Sequence, residues 1–347
     1  MKITRVSVDL AKNVFHVHGV DRKGKAVWRR RLSRDRWLRA LMEKVEPGCE
    51  VGMEACAGAH HWARELQGQG YTVKLIAPQF VKPYVKSNKN DRNDAEAICE
   101  AMSRPTMRFV EVKCVEQQDV QAVHRIRSEL MGQRTAKANQ IRGLVAEYGL
   151  VAPKQLSHLR MAIPHWLEDA ENGLTERFRR LLAGLWEDLT ELDRRVAELD
   201  GEIDSLAKSD AVAQRLQQLR GVGPLIATAL VAAVGSGDQF AKGRDFAVSL
   251  GLTPKQHSTG GKERLLGISK RGDPYLRKIL IHGARSVIHH AKDKDDGLSR
   301  WVLSLAARSH INVASVALAN KTARIAWAMI RNGTDYQAEL AASPVAK

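Results

Sequence analysis

Phe178, Leu182, Leu185, Leu189, Leu192, Val196, Leu199, Ile203 and Leu206 recur at alternating gaps of four and three, and Arg, Glu and Asp fill most of the places between them. That spacing aligns one apolar seam along a helix with a period near 3.5, which predicts a coiled coil or a long helical hairpin. A single amphipathic helix packed on its own domain is the alternative. Self-association through the seam is the expectation.

Ahead of the seam the pattern alternates. Residues 3–10, 13–20 and 25–32 read as three strands joined by Ala11-Lys12 and by the turn Asp21-Arg22-Lys23-Gly24, an antiparallel meander. A helix near 34–45, a strand Cys49 to Glu54, a helix from about His60 to Gln67 and a strand Tyr71 to Ile76 follow, which implies a mixed sheet. Another helix begins near Asp91, with Ala95, Ile98, Ala101 and Met102 at helical spacing. Residues 116–150 are helical and basic, carrying Arg125, Arg127, Arg134, Lys137 and Arg142, and Pro153 and Pro164 interrupt the chain beyond them.

In the first strand Ile3, Arg5, Ser7 and Asp9 share one face and Val6 and Val8 the other, so Asp9 occupies an expensive place for an unpaired carboxylate. Glu54 ends a second strand, and Asn90-Asp91-Arg92-Asn93-Asp94 sets two more acids three residues apart. Asp91 and Asp94 then share a helix face one turn apart. Phosphodiester chemistry often uses two Mg²⁺ (or Mn²⁺) ions about 3.5–4 Å apart between carboxylates, and Asp9, Glu54, Asp91 and Asp94 meet that need. Asp91 also reads as a helix N-cap and Asp94 as a first-turn dipole partner. The order strand-Asp, two antiparallel strands, strand-Glu, helix-Asp favours the metal site. His60 and His61 read as polar and structural.

The chain has 347 residues, 44% of them hydrophobic, which suits ordinary cores in about two domains at roughly 150 residues each. Its 55 Lys+Arg against 39 Asp+Glu leave a formal charge of +16, which points to a polyanion, nucleic acid first. Arg29, Arg30 and Arg31 crowd an early basic stretch with Trp28 and Trp37 as stacking surfaces, and Lys82, Lys86 and Lys89 precede the acid helix. The apolar run Leu225 to Val234 is far short of the ~20 residues that span a bilayer, and Met1-Lys2-Ile3 leads into a strand rather than a signal peptide. A soluble, cytoplasmic, nucleoid-associated protein without a membrane partner is expected. Cys49, Cys56, Cys99 and Cys114 lack C-x-x-C spacing and read as reduced core thiols.

Past residue 211, Gly221-Val222-Gly223-Pro224 places a glycine turn between two helices, as in helix-hairpin-helix modules whose backbone N–H groups bind phosphate; a plain interhelical turn is the other reading. Gly251 to Arg264 is a glycine-rich basic loop with Lys255 and Lys262, and Lys270 and Arg271 precede a further helix.

Ser7-Val8-Asp9-Leu10-Ala11-Lys12, Met53-Glu54-Ala55-Cys56, Asn88 to Ala95 and the segment Gly251 to Arg277 together resemble the DEDD transposases of the insertion-sequence 110 and 1111 family. The resemblance implies an α/β RNase H-like (RuvC-like) N-terminal domain carrying the four acids and a C-terminal domain that supplies a serine nucleophile. It also implies dimers that combine as a tetramer with composite sites, and a structured bridge RNA that pairs with target and donor DNA. The family's serine falls within Gln256-His257-Ser258-Thr259-Gly260-Gly261; members often carry two adjacent serines, and with Thr259 in second place Ser258 is the nucleophile implied. Lys255, Lys262 and Lys270 are placed to stabilise its alkoxide.

The expected organisation is a RuvC-like metal domain over 1–150, a helical coiled-coil arm over 151–210 and an all-α helix-hairpin-helix domain over 211–347. The expected activity is RNA-guided excision and insertion of a mobile DNA element. A metal-dependent Holliday-junction or structure-specific nuclease and an architectural nucleic-acid-binding protein are the competing readings.

Overall fold

The computed structural model describes residues 2–86 and 91–337, with Asp91 and Arg92 described by backbone alone. Contacts divide the chain into two compact units, Met1–Glu116 and Gln117–Lys347.

The first unit runs β1 (Arg5–Leu10), β2 (Val14–Val20), β3 (Ala26–Ser33), α1 (Trp37–Lys44), β4 (Glu50–Glu54), α2 (Ala59–Gly68), β5 (Thr72–Ile76), α3 (Pro78–Val81), α4 (Asp91–Met102) and β6 (Phe109–Val110). The sheet order is β3-β2-β1-β4-β5-β6. The first three strands form the antiparallel meander, β4 and β5 run parallel to β1, and β6 returns antiparallel to β5. Alternation sorts the two faces. Val6, Val8, Val51 and Met53 are fully buried against α1 and α2, where Phe15, Trp37 and Trp62 meet edge to face at 5.0 to 5.6 Å. Large side chains buried so completely contribute about 1.5–3 kcal/mol each. α4 covers the opposite face, where Ile76, Val81, Ala97, Ile98, Ala101 and Met102 form a separate core.

The second unit contains α5 (Val115–Ala146, from Gln117), α6 (Leu156–Glu168), α7 (Glu176–Ser209), α8 (Ala211–Leu216), α9 (Pro224–Val234), α10 (Gly243–Ser249), β7 (Pro254–Gln256), β8 (Leu265–Ile268), α11 (Pro274–His289), α12 (Gly297–Arg308) and α13 (Ile311–Asn332). Thr175 caps α7, its hydroxyl accepting from the Phe178 amide at 3.2 Å. The heptad seam finds a partner within the chain. α7 runs antiparallel along α5, with ion pairs Arg127–Asp200, Arg134–Asp193 at 3.2 Å and Lys137–Asp188 at 2.8 Å. Leu182, Leu189, Val196 and Ile203 are buried, whereas Leu185, Leu192, Leu199 and Leu206 are half-buried.

The structure differs from the sequence pattern at two places. Pro164 does not interrupt a helix but lies inside α6, which continues to Glu168 without the hydrogen bond that a Pro164 amide would have made to the Arg160 carbonyl. The region after 211 is not all-α, because the antiparallel hairpin β7–β8 interrupts it. Among the described residues no helix is long and apolar enough to cross a membrane.

Candidate active site

Strand register brings two of the four acids together. Arg5 pairs with Glu50, Ser7 with Gly52 and Val8 with Met53 in the parallel β1–β4 ladder, so Asp9 and Glu54 follow as neighbours at the ends of adjacent strands. Both belong to the face that α4 covers. Ser7, fully buried, donates from Oγ to the Ala95 carbonyl at 2.5 Å, which ties the start of α4 to β1 two residues before Asp9. Asp94, half-buried, directly precedes that anchored residue. Cys56 lies beside Glu54 and Asp9: burial first, then their carboxylates, push its thiol up from the ordinary cysteine value.

The backbone of Asp91 opens α4, while its side chain lies outside the described residues, as do Lys89 and Asn90 altogether. Among the described residues no group of three His, Cys, Asp or Glu side chains is close enough to hold an ion. The candidate residues Asp9, Glu54, Asp91 and Asp94 are all carboxylates, a chemistry that would suit a hard divalent cation such as Mg²⁺ or Mn²⁺.

Two residues at this face carry no obvious sequence signal. β2 sets His16 opposite Asp9 and His18 opposite Ser7. Only the turn length between β1 and β2, which fixes that register, would have revealed them. His60, by contrast, is structural, its Nδ1 accepting from the Lys113 amide at 3.2 Å.

The basic residues divide. Arg29 pairs with Glu96 at 3.3 Å and Lys86 pairs with the same carboxylate at 3.1 Å, while Arg30 and Arg31 are exposed. Trp28 and Trp37 are not stacking surfaces, since both are buried in the sheet's core. On α5, Arg127, Arg134 and Lys137 answer the acids of α7, and Arg142 donates to the carbonyls of Pro153, Lys154 and Gln155. Cys49 and Cys99 are buried thiols as expected, but Cys114 is exposed.

In the second unit Ser258 lies in the β7–β8 hairpin, exposed, its Oγ accepting from Gln256 Nε2 at 2.9 Å. Gly260 and Gly261, at φ 56° and 76°, form the reversing turn between Thr259 and Lys262. Lys255, Lys262, Lys270 and Arg271 are all exposed around it. The hairpin's base is clamped: Arg277 donates to the Leu250 and Arg271 carbonyls at 2.8 and 3.1 Å, and Gly272, at φ 76°, packs so tightly that a β-carbon would stand 1.6 Å from the Ser249 carbonyl oxygen. Lys270 takes a left-handed φ of 54° beside this contact, a conformation that costs a non-glycine residue roughly 1–2 kcal/mol.

The glycine turn before α9 is used for packing as well as for exposure. Gly221, at φ 80°, lies where a β-carbon would stand 2.7 Å from the Gly283 carbonyl oxygen of α11, whereas Gly223 has open space around it at the N-terminus of α9.

Comparison with known proteins identifies the family of the chain. The profile described as Transposase IS116/IS110/IS902 family matches residues 213–298, and a DEDD transposase profile of the IS110 type matches residues 6–150. A "Probable family 20 transposase" of Pseudomonas aeruginosa is 50% identical over 97% of this chain and 99% of its own length. The "Transposase for insertion sequence element IS1111A" of Coxiella burnetii is 46% identical over 96% and 91%, and the "Transposase for insertion sequence element IS1328" of Yersinia enterocolitica 41% over 96% and 98%. A DEDD-type domain implies dependence on a divalent metal in general. Matched from near one end to near the other, the chain belongs to the IS110 family of DEDD-type transposases, enzymes that act on DNA.

Proposed function

We propose that the chain excises and inserts a mobile element by RNA-guided DNA strand exchange, with carboxylates from an RNase H-like first unit and a serine hydroxyl from the second. The observation that carries this reading is the placement of Asp9 beside Glu54 at the ends of neighbouring parallel strands, under a helix whose first turn holds Asp91 and Asp94. Asp9, Glu54, Asp91 and Asp94 would hold Mg²⁺ or Mn²⁺, which when bound stabilises charge on the attacking and leaving oxygens.

Ser258 Oγ is the nucleophile in this reading. Its bond to phosphorus forms as the bond from phosphorus to the leaving strand's oxygen breaks; the serine proton is given up and the leaving oxygen is protonated to a hydroxyl. The exposed cations Lys255, Lys262, Lys270 and Arg271 supply charge along the hairpin for the phosphate and the developing alkoxide. Gly221 and Gly223 present backbone N–H groups to a DNA phosphate at α9. Arg29, Arg30, Arg31, Lys86 and Lys89 extend the nucleic-acid surface of the first unit.

Target and donor DNA and a structured bridge RNA are the partners, in keeping with the formal charge of +16. Protomers assemble as dimers and then a tetramer, with the half-buried leucines of α7 available to a second copy. The domains are read as 1–150, 151–210 and 211–347.

Asp94→Asn tests the acid set. It should lower strand cleavage by orders of magnitude while leaving DNA affinity and thermal unfolding near wild type, since one carboxylate fewer under-coordinates the ion. Wild-type cleavage in that variant would remove Asp94 from the set.

A further inference from the structure

The face that holds Asp9 continues past the acids. β3 sets Arg31 opposite His16 and Arg29 opposite His18, so one row across four neighbouring strands reads Glu54, Asp9, His16, Arg31. Beyond the acids the surface opens into a cavity of about 400 Å³ whose lining includes His16, His18, Arg29, Arg31 and Ala95. Arg29 is held in its wall, donating to His18 Nδ1 at 3.3 Å and pairing with Glu96. Arg31 is exposed, and among the described residues it has no carboxylate partner. The row therefore passes from two carboxylates to an imidazole and then a guanidinium over four strands.

We propose that this cavity binds one backbone phosphate of the DNA strand being cut, with Arg31 and His16 as its contacts, one or two nucleotides from the scissile bond. The inference rests on the reading of Asp9 and Glu54 as catalytic acids. A polyanion entering a cluster of carboxylates needs a cationic flank to offset the repulsion, and a guanidinium matches a phosphate's paired oxygens. β3 lies two strand spacings, roughly 10 Å, from β1, so a phosphate held by Arg31 is a near neighbour of one at Asp9. His16, between them, contacts the connecting backbone.

The test measures affinity of the full-length protein loaded with the element's bridge RNA, in EDTA, for a duplex carrying the element's end, with a single methylphosphonate walked along the strand to neutralise one phosphate at a time. Cleavage positions are mapped separately in Mg²⁺. In the wild type one neutral linkage within two nucleotides of the break should weaken binding several-fold. Arg31→Gln should weaken binding of the unmodified duplex, flatten its salt dependence by about one phosphate's worth, and abolish the penalty at that linkage. His16→Gln should reduce the same penalty. Arg104→Ala, just beyond the far end of α4, should keep the wild-type profile.

An Arg31→Gln profile identical to wild type overturns the proposal. A lost penalty at a linkage remote from the mapped break overturns the placement beside the scissile bond. Because binding is read without metal, a failure of Asp9→Asn to affect cleavage would strike the acid assignment separately, leaving the methylphosphonate profile as evidence on the cavity alone.

Discussion

Met102 of α4 lies over Gly52 of β4 with no room for a side chain between them: a β-carbon at Gly52 would stand 2.0 Å from Met102 Sδ and 2.6 Å from its Cγ. Together with the bond from Ser7 to the Ala95 carbonyl, this contact sets the height of α4 above the sheet. Met102 is itself buried, so making room for a new methyl group means repacking the core around it. Gly52→Ala should destabilise the protein by about 1–3 kcal/mol in denaturant unfolding and lower cleavage. Adding Met102→Ala should recover part of the stability, and a double variant no more stable than Gly52→Ala would show that the two residues are not coupled.

The α5–α7 hairpin should depend on Asp193. Its carboxylate accepts from Arg134 at 3.2 Å and from Arg160 Nε at 2.7 Å, and all three side chains are mostly shielded. Asp193→Ala leaves two guanidinium groups facing each other without an acceptor, and the loss should be about 1–3 kcal/mol by chemical denaturation. Lys137, whose Asp188 partner is exposed, should contribute much less when replaced by Ala.

Stability should fall in mild acid because of His124. Its Nε2 lies 2.9 Å from Thr228 Oγ1, whose hydroxyl donates to the Pro224 carbonyl, so the ring carries its hydrogen on Nε2 and Nδ1 accepts from the Tyr275 hydroxyl at 2.9 Å. Burial, with the Arg127 guanidinium a lesser cause, lowers this histidine from 6.5 to about 4. The unfolded chain therefore takes up a proton in that window that the folded chain refuses. The contribution is fully present above pH 6.5 and is lost as pH falls toward 4, a swing of about 3 kcal/mol at most. His124→Gln should flatten the difference in unfolding midpoint between pH 7 and pH 4.5; an unchanged slope would assign the acid sensitivity to other groups.

The alternation of Arg5, Ser7 and Asp9 against Val6 and Val8 made the first strand, its faces and the position of Asp9 legible in the sequence, because period two ties side-chain chemistry to sheet geometry. The seam from Phe178 to Leu206 likewise specified α7. What lay beyond local pattern was partnership. Nothing in the spacing of Arg127, Arg134 and Lys137 reveals that α7 answers their charge, and nothing near Trp37 announces that Phe15 and Trp62 enclose it. His16 carries no local signal for the same reason, since its neighbour Asp9 is set by register across a turn. The two-residue β6 and the three-residue β7 are too short to show any alternation.

The most direct test of the account is a trapped protein–DNA complex analysed by mass spectrometry. With Ser258 as nucleophile the phosphodiester energy is kept in a phosphoserine bond, so strands rejoin without an external energy source, whereas attack by water loses that bond. Ser258→Ala should bind DNA and metal as before yet form no adduct and exchange no strands, and Thr259→Ala should be milder. The predicted result is a nucleotide on Ser258. A nucleotide on Thr259, or free ends with no adduct at all, would contradict it.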